Sequence, residues 1–309
     1  MLLIATLIAS PASRVLDHND IECARSALPG AQEPNWLDPG IAVDLPFAAE
    51  GENFRVLAER VRAALAAAPI DVVVQGAAGR RKQLLLADMD STMIGQECID
   101  ELADHVGMKR QVAALTEQAM RGEIEFEQAL RQRVKLLKGL PVTAIDDVID
   151  NRIRVTPGAR TLIATMRRAG AYTCLVTGGF TLFSKRVAGV IGFDENRANR
   201  LLVDDQGRLT GEVAKPIFGR DAKLATLVEL TTRLRLATEQ TLVAGDGAND
   251  IPMIQAAGLG VAYHAKPKVA AAATARIDHC DLSALLYAQG YRREEFVNPD
   301  DGGRTTDDR

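Results

Sequence analysis

Two hydrophobic periods alternate along this chain and divide it. Apolar stretches of strand length occupy residues 2–8, 40–45 and 71–74. Between the last two, residues 54–68 carry Val56, Leu57, Val61 and Leu65 among Glu59, Arg60 and Arg62, the spacing of a half-buried helix. A shorter helical pattern covers residues 21–28, and together these elements predict a small α+β domain over residues 1–79. The segment Gly76-Ala77-Ala78-Gly79-Arg80-Arg81-Lys82 that follows lacks the Gly-Lys-Ser/Thr ending of a phosphate loop. Its basic triplet is expected to be a solvated hinge.

From Gln83 the pattern changes to strands alternating with helices. Leu84-Leu85-Leu86-Ala87 reads as a buried strand, with further strands at 171–176, 241–244 and 259–262. Helices are predicted where Pro157-Gly158 opens one and at 221–234, and a hairpin at 200–213 turns at Asp205-Gln206-Gly207. Such alternation implies a mostly parallel sheet with helices on both faces. Four helical patterns in succession, 99–106, 109–120, 126–137 and 143–151, interrupt it after the first strand. They predict a helical cap at about 94–155 within a catalytic domain at 83–290, followed by a polar tail at 291–309.

Composition narrows the function only by exclusion. The 309 residues carry a net charge of -4 and are 47% hydrophobic, which gives no support for a nucleic-acid partner. No run reaches the length of a membrane-spanning helix, so no membrane partner is expected. Cys23, Cys98, Cys174 and Cys280 are scattered, as in a protein of reduced thiols, and a cytoplasmic location is expected. The apolar start, with no basic residue before Arg14, reads as a first strand rather than an export signal, although Pro11-Ala12-Ser13 imitates a cleavage site. His18, His105, His264 and His279 have no metal-like spacing.

The chemistry concentrates at Asp88-Met89-Asp90-Ser91-Thr92, directly after the buried strand. Ligands of open α/β sheets bind beyond the carboxyl ends of the strands. A pair of acids there offers one carboxylate as nucleophile or metal ligand and a second for proton transfer. Three further signals follow in order: Thr177-Gly178-Gly179 at a strand end, Lys223 on a helix, and Gly245-Asp246-Gly247-Ala248-Asn249-Asp250 at another strand end. Taken singly each has a bland reading, as a turn, a solvated lysine or a helix cap. In this order they resemble the four motifs of the haloacid dehalogenase superfamily of phosphatases. Glu97 and Phe126-Glu127-Gln128-Ala129-Leu130-Arg131-Gln132-Arg133 resemble more closely the branch that acts on O-phosphoserine. The likeness runs from about Leu84 to Tyr287, and the N-terminal domain resembles, more weakly, the ACT-like domain of longer bacterial members.

The resemblance implies a Rossmann-like parallel sheet under a helical cap, and Mg²⁺-dependent hydrolysis of phosphoserine at the end of serine biosynthesis. Asp88 is the implied nucleophile and Asp90 the general acid and base. Asp88, the backbone carbonyl of Asp90 and Asp246 are the implied metal ligands, with Asp250 behind them. Lys223, Thr177, Gly178 and Gly179 are implied to hold the phosphoryl group, and Asn249 to reach the substrate. Glu97 is expected at the substrate ammonium, Arg133 at its carboxylate and Phe126 on its apolar side, although each also reads as ordinary cap surface or core. Thr177 stands where the family more often has serine; both supply a hydroxyl.

The residue types suit the task. A carboxylate of ordinary pKa ~3.9 is ionised at neutral pH and attacks without a base. The acid that protonates the leaving alkoxide needs a raised pKa, which a nearby like charge supplies. Phosphoryl transfer to an alcohol such as homoserine, a phosphatase for another small substrate such as phosphoglycolate, and a non-catalytic amino-acid sensor remain as alternatives. Glu97 argues against a substrate without an amine, and the complete set of acids with Lys223 argues against a sensor. Homodimer formation is left open.

Overall fold

The computed structural model describes residues 1–299 except 11, 13, 14, 67, 121 and 122, and only the backbone of 119 and 120. Its first elements are β1 (Leu2–Ala9), α1 (His18–Ser26), β2 (Asn35–Asp38), β3 (Ala42–Ala48), α2 (Phe54–Ala64) and β4 (Ile70–Gly76). They form an antiparallel sheet in the order β2-β3-β1-β4. The helix α1 starts before the apolar pattern does. Asp17 accepts from the amide of Asp20 and Asp20 accepts from the amide of Asp17, a reciprocal cap that fixes the start. The short, half-polar β2 lay below the sequence signal.

Side chains alternate across this sheet, as a strand requires. Leu3, Ala5, Leu7, Val43, Leu45, Phe47, Ile70, Val72 and Val74 pack under α1 and α2. Thr6, Asp44, Asp71 and Gln75 point the other way and are nevertheless buried, because that face lies against the second half of the molecule.

The second half opens with β5 (Leu84–Ala87) and an irregular turn, Met89–Met93. The cap follows as α3 (Cys98–His105), α4 (Lys109–Met120), α5 (Phe126–Leu136) and α6 (Thr143–Arg152), close to the predicted limits. Then come α7 (Ala159–Arg168), β6 (Tyr172–Phe180), α8 (Thr181–Ile191), β7 (Glu195–Asn199), β8 (Leu201–Val203) and β9 (Leu209–Val213). The chain ends with α9 (Arg220–Arg233), β10 (Thr241–Gly245), α10 (Ile251–Ala256), β11 (Leu259–Tyr263), α11 (Pro267–Ala272), β12 (Ala275–Ile277) and α12 (Ala284–Ala288).

Six strands form a parallel sheet in the order β12-β11-β10-β5-β6-β7. The central β5 is apolar at every position because helices cover both of its faces. Leu84 and Leu86 meet Leu227 and Leu230 of α9 and Met253 of α10 on one side. Leu85 and Ala87 share the opposite core with Leu162 of α7 and Phe183 of α8. The edge strand β7 is polar, Glu-Asn-Arg-Ala-Asn, which is why no apolar run announced it. The hairpin β8–β9 braces the cap: Leu209 donates to Leu140 O at 2.8 Å and Gly139 donates to Leu209 O at 2.8 Å.

One expectation fails at the junction. The basic triplet is not a solvated hinge. Arg80 pairs with both oxygens of Asp44, at 2.6 and 2.9 Å, and also donates to Thr6 and to the carbonyls of Tyr287 and Ala288. Lys82 is 6% exposed and donates to Gly79 O and Glu239 O. Arg81 stays at the surface, over the Tyr291 ring and paired with Glu295. Nearby, the amides of Asp278, His279 and Cys280 all donate to Asp71. Polar residues of the first sheet thus satisfy backbone groups of the last turns, which short-range pattern could not foretell. The predicted tail also begins late: Tyr291 is buried and Phe296 packs against Tyr287, while residues 300–309 lie outside the described residues.

Candidate active site

The carboxyl ends of β5, β6 and β10 converge, and with them the acids that the sequence placed at strand ends. Asp88 leaves β5 in extended conformation and is 5% exposed. The fully buried Lys223 reaches up from α9 and donates to Asp88 Oδ1 at 2.6 Å and to Asp250 Oδ1 at 2.7 Å. Asp250 Oδ2 accepts from the Gly247 amide at 3.1 Å. Asp246 Oδ1 accepts from Thr92 Oγ1 at 3.1 Å. Carboxylate oxygens of Asp88, Asp246 and Asp250 lie within 4.8 Å of one another.

Close packing dictates the glycines here. A Cβ on Gly245 would stand 2.6 Å from the Asp250 carboxylate. One on Gly179 would stand 3.2 Å from Asp90 Oδ2 and 3.1 Å from Thr177 Oγ1. A Cβ on Gly247 would meet the Asn249 side chain. Thr177 is 1% exposed and its hydroxyl accepts from the Gly179 amide at 2.9 Å, within the bulged end of β6 at Thr177-Gly178-Gly179.

Charge is unbalanced in this pocket. Among the described residues, Asp88, Asp90, Asp246 and Asp250 gather around one lysine, Lys223. Burial pushes the Asp90 carboxyl up to about 7, the charge of Glu97 adds to that, and the Cys98 amide, donating at 3.3 Å, opposes it. Burial likewise lifts Asp246 to about 6, with the Asp250 charge second. Asp88 is raised by burial and by Asp250 against the downward pull of Lys223. For Lys223 burial works downward, but the charges of Asp250 and Asp88 prevail and hold it protonated, above its ordinary value.

The donor set fits a hard divalent cation, which takes carboxylate oxygens and water. Both oxygens of Asp250 already accept hydrogen bonds, while Asp88 and Asp246 each keep one oxygen without a hydrogen bond among the described residues. A cation held by those two oxygens would offset the burial and the neighbouring charge that raise their pKa values.

The cap residues gather at the mouth. Glu97 is exposed at the start of α3 and accepts from Ser91 Oγ at 2.8 Å. Phe126, at the start of α5, is 41% exposed yet sits over Gly178. Arg133 is half-buried on the same helix, its ionisation moved down by burial and supported by the charges of Asp100 and Glu97. Asn249 lies half-buried beside the Asp246 turn. Sequence reasoning assigned no role to Thr92, which anchors Asp246, or to Ser91, which holds φ +56° and binds Glu97. Their place inside the Asp88 motif was the available signal. Asp100, facing Arg133, gave none.

A parallel sheet whose strand ends present a buried carboxylate, a lysine and further acids defines a hydrolase of the α/β class built on aspartate. The family model for haloacid dehalogenase-like hydrolase matches residues 85–255, and the chain belongs to that family. It is 45% identical over 209 residues to a phosphoserine phosphatase of Polaromonas sp. (strain JS666), covering 66% of this chain and 88% of that one. Other curated relatives are longer, and the chain spans 57% and 62% of the length of two of them. Among solved structures, the HAD family hydrolase t0658 of Salmonella enterica serovar Typhi superposes with a TM-score of 0.81 at 28% identity, covering 93% of this chain and 98% of that one. A phospho-aspartyl intermediate analogue of phosphoserine phosphatase superposes at 0.61 with 39% identity, covering 67% and 98%.

Proposed function

We propose that this protein is a Mg²⁺-dependent phosphatase that converts O-phospho-L-serine to L-serine and inorganic phosphate, closing serine biosynthesis in the cytoplasm. One observation carries the reading. Asp88 is held by Lys223 through one oxygen and keeps the other without a hydrogen bond among the described residues, beside the bulge at Gly178 and a second acid lifted to about 7.

Asp88 attacks phosphorus, forming an aspartyl-phosphate as the bond to the serine oxygen breaks. Asp90 gives its proton to that oxygen, a role that its pKa of about 7 suits, since an acid works best near the operating pH. In the second half Asp90 takes a proton from water, the water oxygen bonds to phosphorus, and the bond to Asp88 breaks. Lys223, the Thr177 hydroxyl and the Gly178 amide meet the phosphoryl oxygens, where fixed donors stabilise developing charge, while the Gly179 amide steadies Thr177. Asp88, Asp246 and the Asp90 carbonyl would hold Mg²⁺, which would supply charge neutralisation when bound. Asp250 keeps Lys223 aimed at Asp88. Glu97 takes the substrate ammonium, Arg133 its carboxylate, and Phe126 shields the apolar side. Asn249 lines the entry. The βαββαβ connectivity of the N-terminal sheet, the ferredoxin-like arrangement, is the support for reading that unit as ACT-like.

The test is phosphate release with Mg²⁺ from phosphoserine, phosphoethanolamine and phosphoglycolate. Phosphoserine is expected to be preferred, and Arg133→Ala to erase its advantage over phosphoethanolamine by about 10²-fold or more, as loss of a charge-paired contact does. Preference for phosphoglycolate would overturn the substrate. Phosphorylated homoserine formed on adding that alcohol would move the activity to group transfer.

A further inference from the structure

The buried residue Asn199 stands outside every motif discussed above. It ends the polar edge strand β7 and is 2% exposed. Its Nδ2 donates to Gly178 O at 2.9 Å and to Phe218 O at 2.9 Å, and its Oδ1 accepts from Phe218 N at 2.7 Å. One amide thus joins the Thr177-Gly178-Gly179 bulge to the turn that launches α9. Gly219 begins that helix, and its carbonyl accepts from the Lys223 amide at 3.0 Å.

The cap meets both joined segments at one ring. A Cβ on Gly178 would lie 3.4 Å from Phe126 Cζ, and one on Gly219 would lie 3.2 Å from Phe126 Cε1. The ring edge therefore spans two glycines, one in the bulged end of β6 and one at the start of α9. A side chain at Gly219 would push the ring by a few tenths of an ångström, while one at Gly178 would only touch it. Nothing but the Asn199 amide, among the described side chains, bonds to both segments.

We propose that Asn199 is a positioning residue: it fastens the phosphoryl-binding bulge to the lysine helix, and the two glycines it aligns form the seat on which Phe126 docks the cap. Phosphate grip and cap closure are then one mechanical unit. This inference rests on the phosphatase reading for its kinetic consequence, though the seat itself has a readout that needs no substrate.

Asn199→Asp keeps the size and replaces the double donor by an acceptor facing two carbonyls. Kinetically, Asn199→Asp and Phe126→Ala are each expected to lower kcat/KM for phosphoserine, Asn199→Asp by about 10²-fold, the scale of a small misplacement. Because both act on one seat, the double variant should lose little more than the worse single one; fully multiplicative losses would overturn the coupling. Structurally, hydrogen exchange of the amides at residues 129–134 should quicken in Asn199→Asp and in Gly219→Ala, with β5 still protected. Unchanged exchange there in Gly219→Ala overturns the seat even if Asn199→Asp does not fold. If the wild-type protein releases no phosphate from phosphoserine, the substrate reading fails, while the exchange measurement still decides the seat.

Discussion

Two clusters of buried charge sit at opposite ends of the same strand. At the entry to β5, Arg80 meets Asp44, a hydroxyl and two carbonyls, so its charge is matched by an opposite one. At the exit, Lys223 alone among the described residues faces Asp88 and Asp250, with Asp90 and Asp246 close by. The balanced cluster holds two sheets together. The unbalanced one stores carboxylates with raised pKa values, ready to accept a cation, a phosphoryl group or a proton. Buried ions are costly in either place, but only an unpaired excess leaves chemistry to be done.

The sharpest test removes one acid from the exit. Asp88→Asn should lower turnover by about 10⁴-fold or more, as loss of a nucleophile does, and leave no phosphate trapped on the protein. Its thermal stability should hold or rise, because one of the crowded acids is gone. The matching change at the entry, Arg80→Ala, should do the reverse. Breaking a buried pair costs about 3–5 kcal/mol of stability, with kcat per folded molecule retained. Chemical denaturation beside steady-state kinetics separates the two outcomes. Equal effects on both readouts at both ends would dissolve the distinction.

A cation should act at one end only. The folded-state pKa of Asp246, about 6, lies above its ordinary value of 3.8, so the native protein holds a proton that the unfolded chain has lost in that window. Its contribution to stability is complete below 3.8 and disappears as pH rises through 6. Above that, a bound divalent cation such as Mg²⁺ would take over the role of the proton. At a hundredfold excess over its dissociation constant it should add about 2.7 kcal/mol. Differential scanning fluorimetry should therefore show a Mg²⁺-dependent rise in Tm at pH 7.5 that shrinks at pH 5, and Asp246→Asn should abolish it.

An effect confined to alkaline pH concerns Lys82, whose ammonium burial pushes down to about 8. The native state releases this proton before the unfolded chain does, so stability gains with pH between about 8 and 10.5, and the cost of the buried charge is full below that range. Lys82→Met should remove this upward slope while leaving activity unchanged. A slope that persists in the variant would place its source elsewhere.

Much of the site was legible because phosphoryl chemistry demands particular residues at strand ends. Asp88, Asp90, Lys223 and Asp246 lie within motifs whose spacing follows from strand and turn geometry, and the structure brings them together. The four cap helices were legible from their period, to within a residue or two at each end. By contrast, β2 and β7 carry too little apolar sequence to announce themselves, and β7 holds the amide of Asn199.

The linear order of residues determined which side chains carry charge, where the apolar periods begin and end, and therefore the layered architecture and its acidic strand ends. Those properties are local, set by rise per residue and by which face meets water. Tertiary structure alone decided that Arg80 pairs with Asp44 and Lys82 is buried, that Thr92 steadies Asp246, and that Asn199 links Gly178 to Phe218. Each of those contacts joins residues 19 to 208 positions apart, and the meaning of a polar side chain depends on what the fold places opposite it.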